Sequence, residues 1–115
     1  MKTMYALKNK VQLIGHLGHK PEVKETESGK KVTSFNMATS DVYRNAKGEK
    51  VTETQWHRLV AWGKMAEIAG KYLDKGREIA IEGRLTNRSY TDKEGNKKYI
   101  TEIVVNELLM LDVRE

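Results

Sequence analysis

Residues 53–64 read Glu-Thr-Gln-Trp-His-Arg-Leu-Val-Ala-Trp-Gly-Lys, and this stretch shapes the architecture that we expect for the whole chain. Successive side chains of a β-strand point to opposite faces, so the stretch divides into two sets. One set contains His57, Leu59 and Ala61, and the other contains Trp56, Arg58, Val60 and Trp62. The first face resembles a core. The second face carries two indoles on either side of a guanidinium group, and a strand that already buries its other face does not need them for packing. The second face therefore indicates an exposed platform on which flat ligands stack, with nucleic-acid bases as the first candidate.

The chain on either side of this strand indicates a small sheet with one helix. Alternating apolar residues predict further strands at residues 9–18, 32–43, 78–90 and 99–112. Gly15 interrupts the first of them and predicts a bend there, while Phe35 and Met37 of the second face inward. After residue 63 the period changes to three and four residues, which predicts a short helix packing through Met65, Ile68, Ala69, Tyr72 and Leu73. The pattern predicts an all-β, five-stranded OB-fold Greek-key barrel with one short helix between strands 3 and 4.

Cations accompany the aromatic side chains along the predicted surface. Alternation in residues 78–90 assigns Ile79, Ile81 and Leu85 to the inner face and Arg84, Thr86, Arg88 and Tyr90 to the outer face. Polar segments at residues 27–31, 44–50 and 91–98 predict hairpin turns or loops between the strands. Rings and cations on neighbouring outward faces favour nucleic-acid binding over burial of the rings in a core.

Composition narrows the class of protein. At 115 residues, the whole chain 1–115 predicts a single domain. A formal net charge of +5 favours polyanionic partners, although many soluble proteins are as basic. The absence of cysteine fits a reducing, cytoplasmic setting. The sequence has neither an apolar signal segment nor a run of about twenty apolar residues, so no membrane association is expected.

The residues predict binding without chemistry. The sequence has no nucleophile elbow, no Walker-type phosphate loop and no zinc-hydrolase spacing. His16 and His19 are three residues apart at a strand end, with no cysteine or suitable third histidine to complete a metal shell. We therefore expect no enzymatic activity, no cofactor and no metal.

The order of short motifs resembles the DNA-binding domain of the bacterial single-stranded DNA-binding proteins. The resemblance extends from about residue 9 to residue 111, nearly the whole chain. The motifs that carry it are Asn9-Lys10-Val11, Leu13-Ile14-Gly15, Leu17-Gly18, Pro21-Glu22-Val23, Ala38-Thr39-Ser40, Trp56-His57-Arg58, Gly63-Lys64, Ala66-Glu67, Tyr72-Leu73, Lys75-Gly76, Ile81-Glu82-Gly83, Tyr90-Thr91-Asp92 and residues 102–106.

The resemblance implies a homotetramer of OB folds that wraps single-stranded DNA, without sequence preference, in replication, recombination and repair. It assigns base stacking to Tyr43, Trp56, Trp62 and Tyr90, and it places His57 at a subunit contact. Relatives carry a different ring at three of the four stacking positions, and an aromatic residue is kept at each. Contacts with phosphate are expected from cations beside these rings, namely Arg44, Arg58, Lys64, Arg84 and Arg88.

One departure and two alternatives accompany this interpretation. Relatives usually continue into a flexible linker with an acidic tip that recruits replication and repair proteins, whereas this sequence stops at Glu115. If the chain is complete, partners recruited through such a tip are not expected. The first alternative is an accessory OB-fold module for replication restart or RNA binding. The second is an OB domain that binds proteins or carbohydrates.

Overall fold

Six strands and one helix make up residues 8–111, which are the residues that the computed structural model describes. The elements are β1 (Val11–Leu17), β2 (Glu22–Glu25), β3 (Lys31–Arg44), β4 (Lys50–Trp62), α1 (Lys64–Tyr72), β5 (Glu78–Thr91) and β6 (Lys97–Met110). Asp112, at the predicted end of the last strand, lies outside the described residues, as does Glu115. No helix within residues 8–111 has the length and hydropathy to cross a membrane.

Five of the strands close into a barrel. The strand order is β1-β5-β6-β4-β3-β2, and an additional pairing of β1 with β3 completes the ring. Every pairing is antiparallel except that of β4 with β6. The predicted five-stranded barrel with one helix before its last two strands is confirmed. The sequence did not predict β2, a four-residue strand with every side chain exposed, which pairs with β3 outside the ring.

Gly15 allows β1 to serve two neighbours. Residues 11–16 of β1 pair with β5, and His16 and Leu17 pair with β3. A Cβ atom on Gly15 would lie 2.1 Å from the carbonyl oxygen of Ala38, so only glycine permits this close approach. The bend predicted from the sequence therefore lies where the barrel closes.

The barrel core is apolar and is covered at one end by α1. Its largest fully buried side chains are those of Phe35, Met37, Leu59, Ile79 and Thr33. The hydroxyl of Thr33 donates a hydrogen bond of 2.8 Å to the carbonyl oxygen of Ala66, which joins the helix to β3.

The predicted packing face of the helix was wrong at Tyr72, whose side chain is 49% exposed. The helix ends at Tyr72, and the chain turns back through Leu73, which is extended and buried. Because the last helical residue lies beside this turn, the ring of Tyr72 faces solvent. Ala69 and Leu73 are buried as predicted, and Ala66 adds to the buried face.

Two long hairpins project from the barrel as arms. Beyond the pairing of β1 with β3, residues 39–44 pair only with residues 50–55. Beyond the pairing of β1 with β5, residues 84–91 pair with residues 97–104 of β6, and of these only Ile103 and Val104 also pair with β4. Most side chains of both arms are exposed on either face.

The predicted inward position of Leu85 was wrong, since this side chain is 47% exposed. A register shift follows Glu82, where β6 contributes one extra residue, and Leu85 lies beyond it on the arm. The pairing of β5 with β1 ends at Gly83, so Leu85 lies outside the closed part of the barrel and its side chain is left half exposed.

Candidate nucleic-acid interface

Strand pairing brings the predicted outer residues of β4 and β5 to one face, on which Val60 is buried and not exposed as predicted. The parallel register of Leu59 with Ile103 places Arg58 level with Glu102 of the intervening strand β6. Glu102 pairs with Thr86 of β5, so the outer phases of the three strands coincide. We call this surface the platform face, and its members are Trp56, Arg58, Trp62, Arg84, Arg88, Tyr90 and Glu102.

Trp56 is exposed and is held from below. Its side chain is 61% exposed, and its cross-strand partner is the small residue Ala38. A Cβ atom on Gly18 would lie 2.6 Å from Cζ3 of the indole, so the ring edge packs directly on the Gly18 backbone. The indole is thus ordered by the barrel while most of its surface remains available for stacking.

Trp62 is 40% exposed, and Lys30 lies over its ring with Nζ 5.3 Å from the ring centroid. Sequence reasoning missed Lys30, which it placed in an ordinary turn. The register that pairs Val32 with Trp62 could have revealed it, because this register places the β2–β3 turn beside the indole. The cation–π contact orders the ring and adds a positive charge at this end of the platform face.

Glu102 joins two of the arginines on the platform face. The carboxylate is 7% exposed and accepts hydrogen bonds from Nε of Arg58 at 2.7 Å and from Nε of Arg88 at 2.9 Å. Nη2 of Arg88 adds a third at 3.3 Å. Burial alone would raise the pKa of Glu102, but the hydrogen bonds from Arg88 and Arg58 outweigh it and leave the pKa below the ordinary value of 4.5. Glu102 is therefore ionised at neutral pH, and neither arginine is a free cation.

Tyr90 and Tyr43 lie on the two arms, each about half exposed. Tyr90 pairs with Lys98 and shares the outer phase of Arg88. Tyr43 pairs with Val51, and by alternation both side chains point to the face opposite that of Trp56. By strand alternation the structure brings Tyr90, but not Tyr43, to the platform face.

The remaining cations that the sequence predicted as phosphate contacts are Arg44, Lys64 and Arg84. Arg44 ends β3 in the outer phase, and its Nη1 donates a 2.8 Å hydrogen bond to the Gly48 carbonyl oxygen across the turn. Lys64 begins α1 two residues after Trp62 and is exposed. Arg84 is exposed at the base of the β5–β6 arm. Lys64 and Arg84 thus place positive charge next to the strands that carry the rings, whereas Arg44 lies at the tip of an arm.

The two arm tips share one turn design. In the first, the side-chain oxygen of Asn45 accepts hydrogen bonds from the backbone N–H groups of Lys47 and Glu49, at 2.9 and 3.0 Å. In the second, Asp92 accepts from Glu94 and Asn96 at 3.0 and 2.8 Å. Each turn also contains a glycine with positive φ, which closes the hairpin without steric cost.

Comparison with known proteins gives this surface a context. The model of the single-strand binding protein family matches residues 8–111, which include every strand and the helix described above. The chain belongs to the single-strand binding protein family. Within the family, the single-stranded DNA-binding protein 1 of Chlorobaculum tepidum is 52% identical over 93% of this chain and 67% of that protein. A protein of the same name from Xylella fastidiosa is 44% identical over 93% of this chain and 79% of that protein.

Solved structures of the single-strand binding protein family have the same fold. The SSB of Plasmodium falciparum, solved in complex with single-stranded DNA, has a TM-score of 0.82 and 35% identity over 90% of this chain and 95% of that chain. A deletion mutant of the single-stranded DNA binding protein from Thermus aquaticus has a TM-score of 0.79 and 32% identity. This chain spans 51% of the Thermus chain.

His57 lies away from the platform face of this family member. It pairs with Met37 in the inner phase, is partly buried, and its Nε2 lies 2.9 Å from the hydroxyl oxygen of Thr39. No group of three metal-binding side chains lies close enough together within residues 8–111 to hold a metal ion. The structure thus places His57 in a contact within the chain, with Thr39 of the neighbouring strand.

A second exposed surface crosses β1, β5 and β6. Ile14 pairs with Ala80, and Ala80 pairs with Leu109, so the three side chains form an apolar row that we call the β1–β6 stripe. Ile14 is 61% and Leu109 is 62% exposed. Beside the stripe, Glu82 forms an ion pair with Lys10 at 2.6 Å. Exposed apolar rows flanked by charged residues are typical of protein–protein contacts.

Proposed function

We propose that this chain binds single-stranded DNA without regard to base sequence and so protects it during replication, recombination and repair. The observation that carries the proposal is the platform face, where two exposed indoles lie beside cations on one side of a rigid barrel. The family name and the DNA-bound structure of a relative support it. For a protein with this ligand we also propose a cytoplasmic location, on nucleoid DNA.

Two physical effects account for binding of any base sequence. Exposed cations, among them Lys30, Lys64 and Arg84, attract the phosphate backbone and release its counterions. Trp56, Trp62 and Tyr90 offer flat surfaces to bases, and each stacked base contributes about 1–3 kcal/mol. Every base has a flat face, so stacking discriminates little among sequences. No step of this function requires an activated nucleophile.

Binding of oligo(dT) tests this proposal directly. We expect tryptophan fluorescence to fall as oligo(dT) is added, because stacked bases contact both indoles. We expect the logarithm of the affinity to fall linearly with the logarithm of salt concentration, by about 0.7 for each phosphate contacted. Duplex DNA of equal length and the matching RNA oligomer serve as competitors. Equal competition by the duplex, or no detectable oligo(dT) binding, would contradict the proposal.

We further propose that the chain assembles as a homotetramer, with the β1–β6 stripe as one subunit contact. Burying Ile14 and Leu109 against a second copy would remove two large, exposed apolar side chains from water. Contact through His57 would need the hydrogen bond with Thr39 to be kept or replaced. The oligomeric state is measured without DNA, so the test of the tetramer is independent of the test of DNA binding.

Leu109→Glu is expected to shift native mass from tetramer toward smaller species, since it places a charge in the proposed apolar contact. Val42→Glu is the matched control, because Val42 is 57% exposed on the β3–β4 arm, outside the stripe. Native mass spectrometry or light scattering measures the outcome. A monomeric unmodified protein, or an unchanged mass for Leu109→Glu, would exclude the stripe as a subunit contact.

A further inference from the structure

Arg58 and Arg88 differ from Arg84 although all three lie on the platform face. The first two share the buried carboxylate of Glu102, through hydrogen bonds of 2.7–3.3 Å. Arg84 lies on the same strand and in the same phase as Arg88, yet forms no ion pair within residues 8–111. The platform face therefore contains two kinds of arginine. The charge of Arg58 and Arg88 is partly compensated by Glu102, whereas the charge of Arg84 is not compensated by any ion pair within the described residues.

Charge compensation weakens the attraction of the paired arginines for phosphate. Two guanidinium groups and one carboxylate sum to a single positive charge. The carboxylate is only 7% exposed, so solvent screens its interaction with the arginines less than it would at the surface. A phosphate approaching either arginine meets the nearby negative charge as well. Fewer counterions gather at such a group, and fewer are released when DNA binds.

The same hydrogen bonds favour a different contact. A guanidinium group is planar and weakly hydrated, and bases stack on it as they do on aromatic rings. Glu102 holds the Nε edge of both groups, which leaves the side chains of Arg58 and Arg88 41% and 52% exposed. Because the carboxylate already restricts both side chains, stacking a base on them costs little further conformational entropy.

We infer that Glu102 converts Arg58 and Arg88 from phosphate contacts into flat surfaces for bases, which extend the row of rings on the platform face. Glu102 is thus a positioning residue, and the two arginines supply a share of the affinity that salt does not weaken. This inference rests on the proposed single-stranded DNA binding. It differs from our sequence-based expectation, which grouped both arginines with the phosphate-binding cations.

Matched substitutions at Arg88 and Arg84 separate the two roles. Arg88→Gln is expected to weaken oligo(dT) binding by about fivefold or more at every salt concentration, with an unchanged salt slope. Arg84→Gln is expected to reduce the salt slope by about 0.7, so that its deficit shrinks about fivefold over a tenfold rise in salt. Lysine keeps the charge but loses the plane. Arg88→Lys should therefore bind as weakly as Arg88→Gln, whereas Arg84→Lys should bind like the unmodified protein.

Glu102→Gln supplies a test in the opposite direction. Removing the carboxylate charge uncovers both guanidinium groups, so the salt slope should become steeper by about 0.7 for each arginine that then contacts phosphate. A merely structural role would lower stability without steepening this slope. Thermal unfolding followed by circular dichroism checks that each variant is folded. If Glu102→Gln does not fold, the comparison of Arg88 with Arg84 decides alone.

The outcomes distinguish this inference from the proposed function. Failure of the unmodified protein to bind oligo(dT) would remove the proposed function and the inference with it. Normal binding combined with a reduced slope for Arg88→Gln, and normal affinity for Arg88→Lys, would overturn the inference alone. An unchanged slope for folded Glu102→Gln would also overturn it. The inference would be supported by weak binding of both Arg88→Gln and Arg88→Lys, with an unchanged salt slope for Arg88→Gln, together with a steeper slope for Glu102→Gln.

Discussion

Replacing both indoles, Trp56→Ala with Trp62→Ala, is expected to weaken binding of oligo(dT) by about 2–6 kcal/mol, the sum of two stacking contacts of about 1–3 kcal/mol each. The loss corresponds to about 30-fold at the least, since about 1.4 kcal/mol is tenfold in affinity. Both rings are exposed, and each is ordered by a contact from outside the platform face, namely Gly18 under Trp56 and Lys30 over Trp62. Their removal therefore costs binding energy and little stability.

Fluorescence anisotropy of a labelled oligo(dT) measures this loss, because the double variant has no tryptophan left to quench. Tyr99→Ala is the matched control. Tyr99 is 73% exposed and pairs with Ser89, so it lies on the opposite face of the β5–β6 arm from Tyr90. We expect it to change the affinity little. Equal effects of the control and the double variant would show that ring position on the platform face does not matter.

Local patterns explain why much of this surface could be predicted. Alternation in β4 is a property of neighbouring residues, so it separates Trp56 and Trp62 from Leu59 before any partner strand is known. The helix and the turns follow from equally local signals, a change of period after Gly63 and glycines in polar segments. The barrel could then be predicted because few closed arrangements fit five strands and one helix.

Contacts between distant segments explain what could not be predicted. Arg58 and Glu102 are separated by 44 residues and meet only because β4 and β6 pair in parallel. Leu85 is exposed because it lies past Gly83, where the pairing of β5 with β1 ends, and the alternation of β5 gives no sign of where that pairing ends. Nothing in a strand's own sequence specifies its neighbour's register, so the pairing of Arg58 and Arg88 with Glu102 could not be predicted, and both were expected to contact phosphate.

Tyr43 illustrates a different limit. Its phase along β3 is that of Phe35 and Met37, both buried, and alternation alone assigns it to the face opposite Trp56. The resemblance to the family placed it with the stacking rings instead. Its assignment as a stacking residue stays a prediction, and the structure places it on the arm, half exposed, without bringing it to the platform face.

Gly15→Ala is expected to lower the free energy of unfolding by about 3 kcal/mol or more, at or above the upper end of the usual range for overpacking. The added Cβ would lie 2.1 Å from the Ala38 carbonyl oxygen and 3.1 Å from Cγ of Met37. A backbone carbonyl in a paired strand cannot rotate away, so β1 would have to move from β3. That movement opens the barrel where β1 changes partners.

Gly70→Ala is the matched control, because the added Cβ would lie at nearly the same distance, 2.2 Å, from Cγ2 of Val23. Val23 is 48% exposed on the short strand β2, so its side chain can change rotamer. Alanine also favours a helix over glycine by about 1 kcal/mol, which offsets the adjustment. Urea unfolding should therefore separate the two variants clearly. Equal stabilities would mean that β1 can shift at Gly15 without strain, and that closure of the barrel does not depend on this glycine.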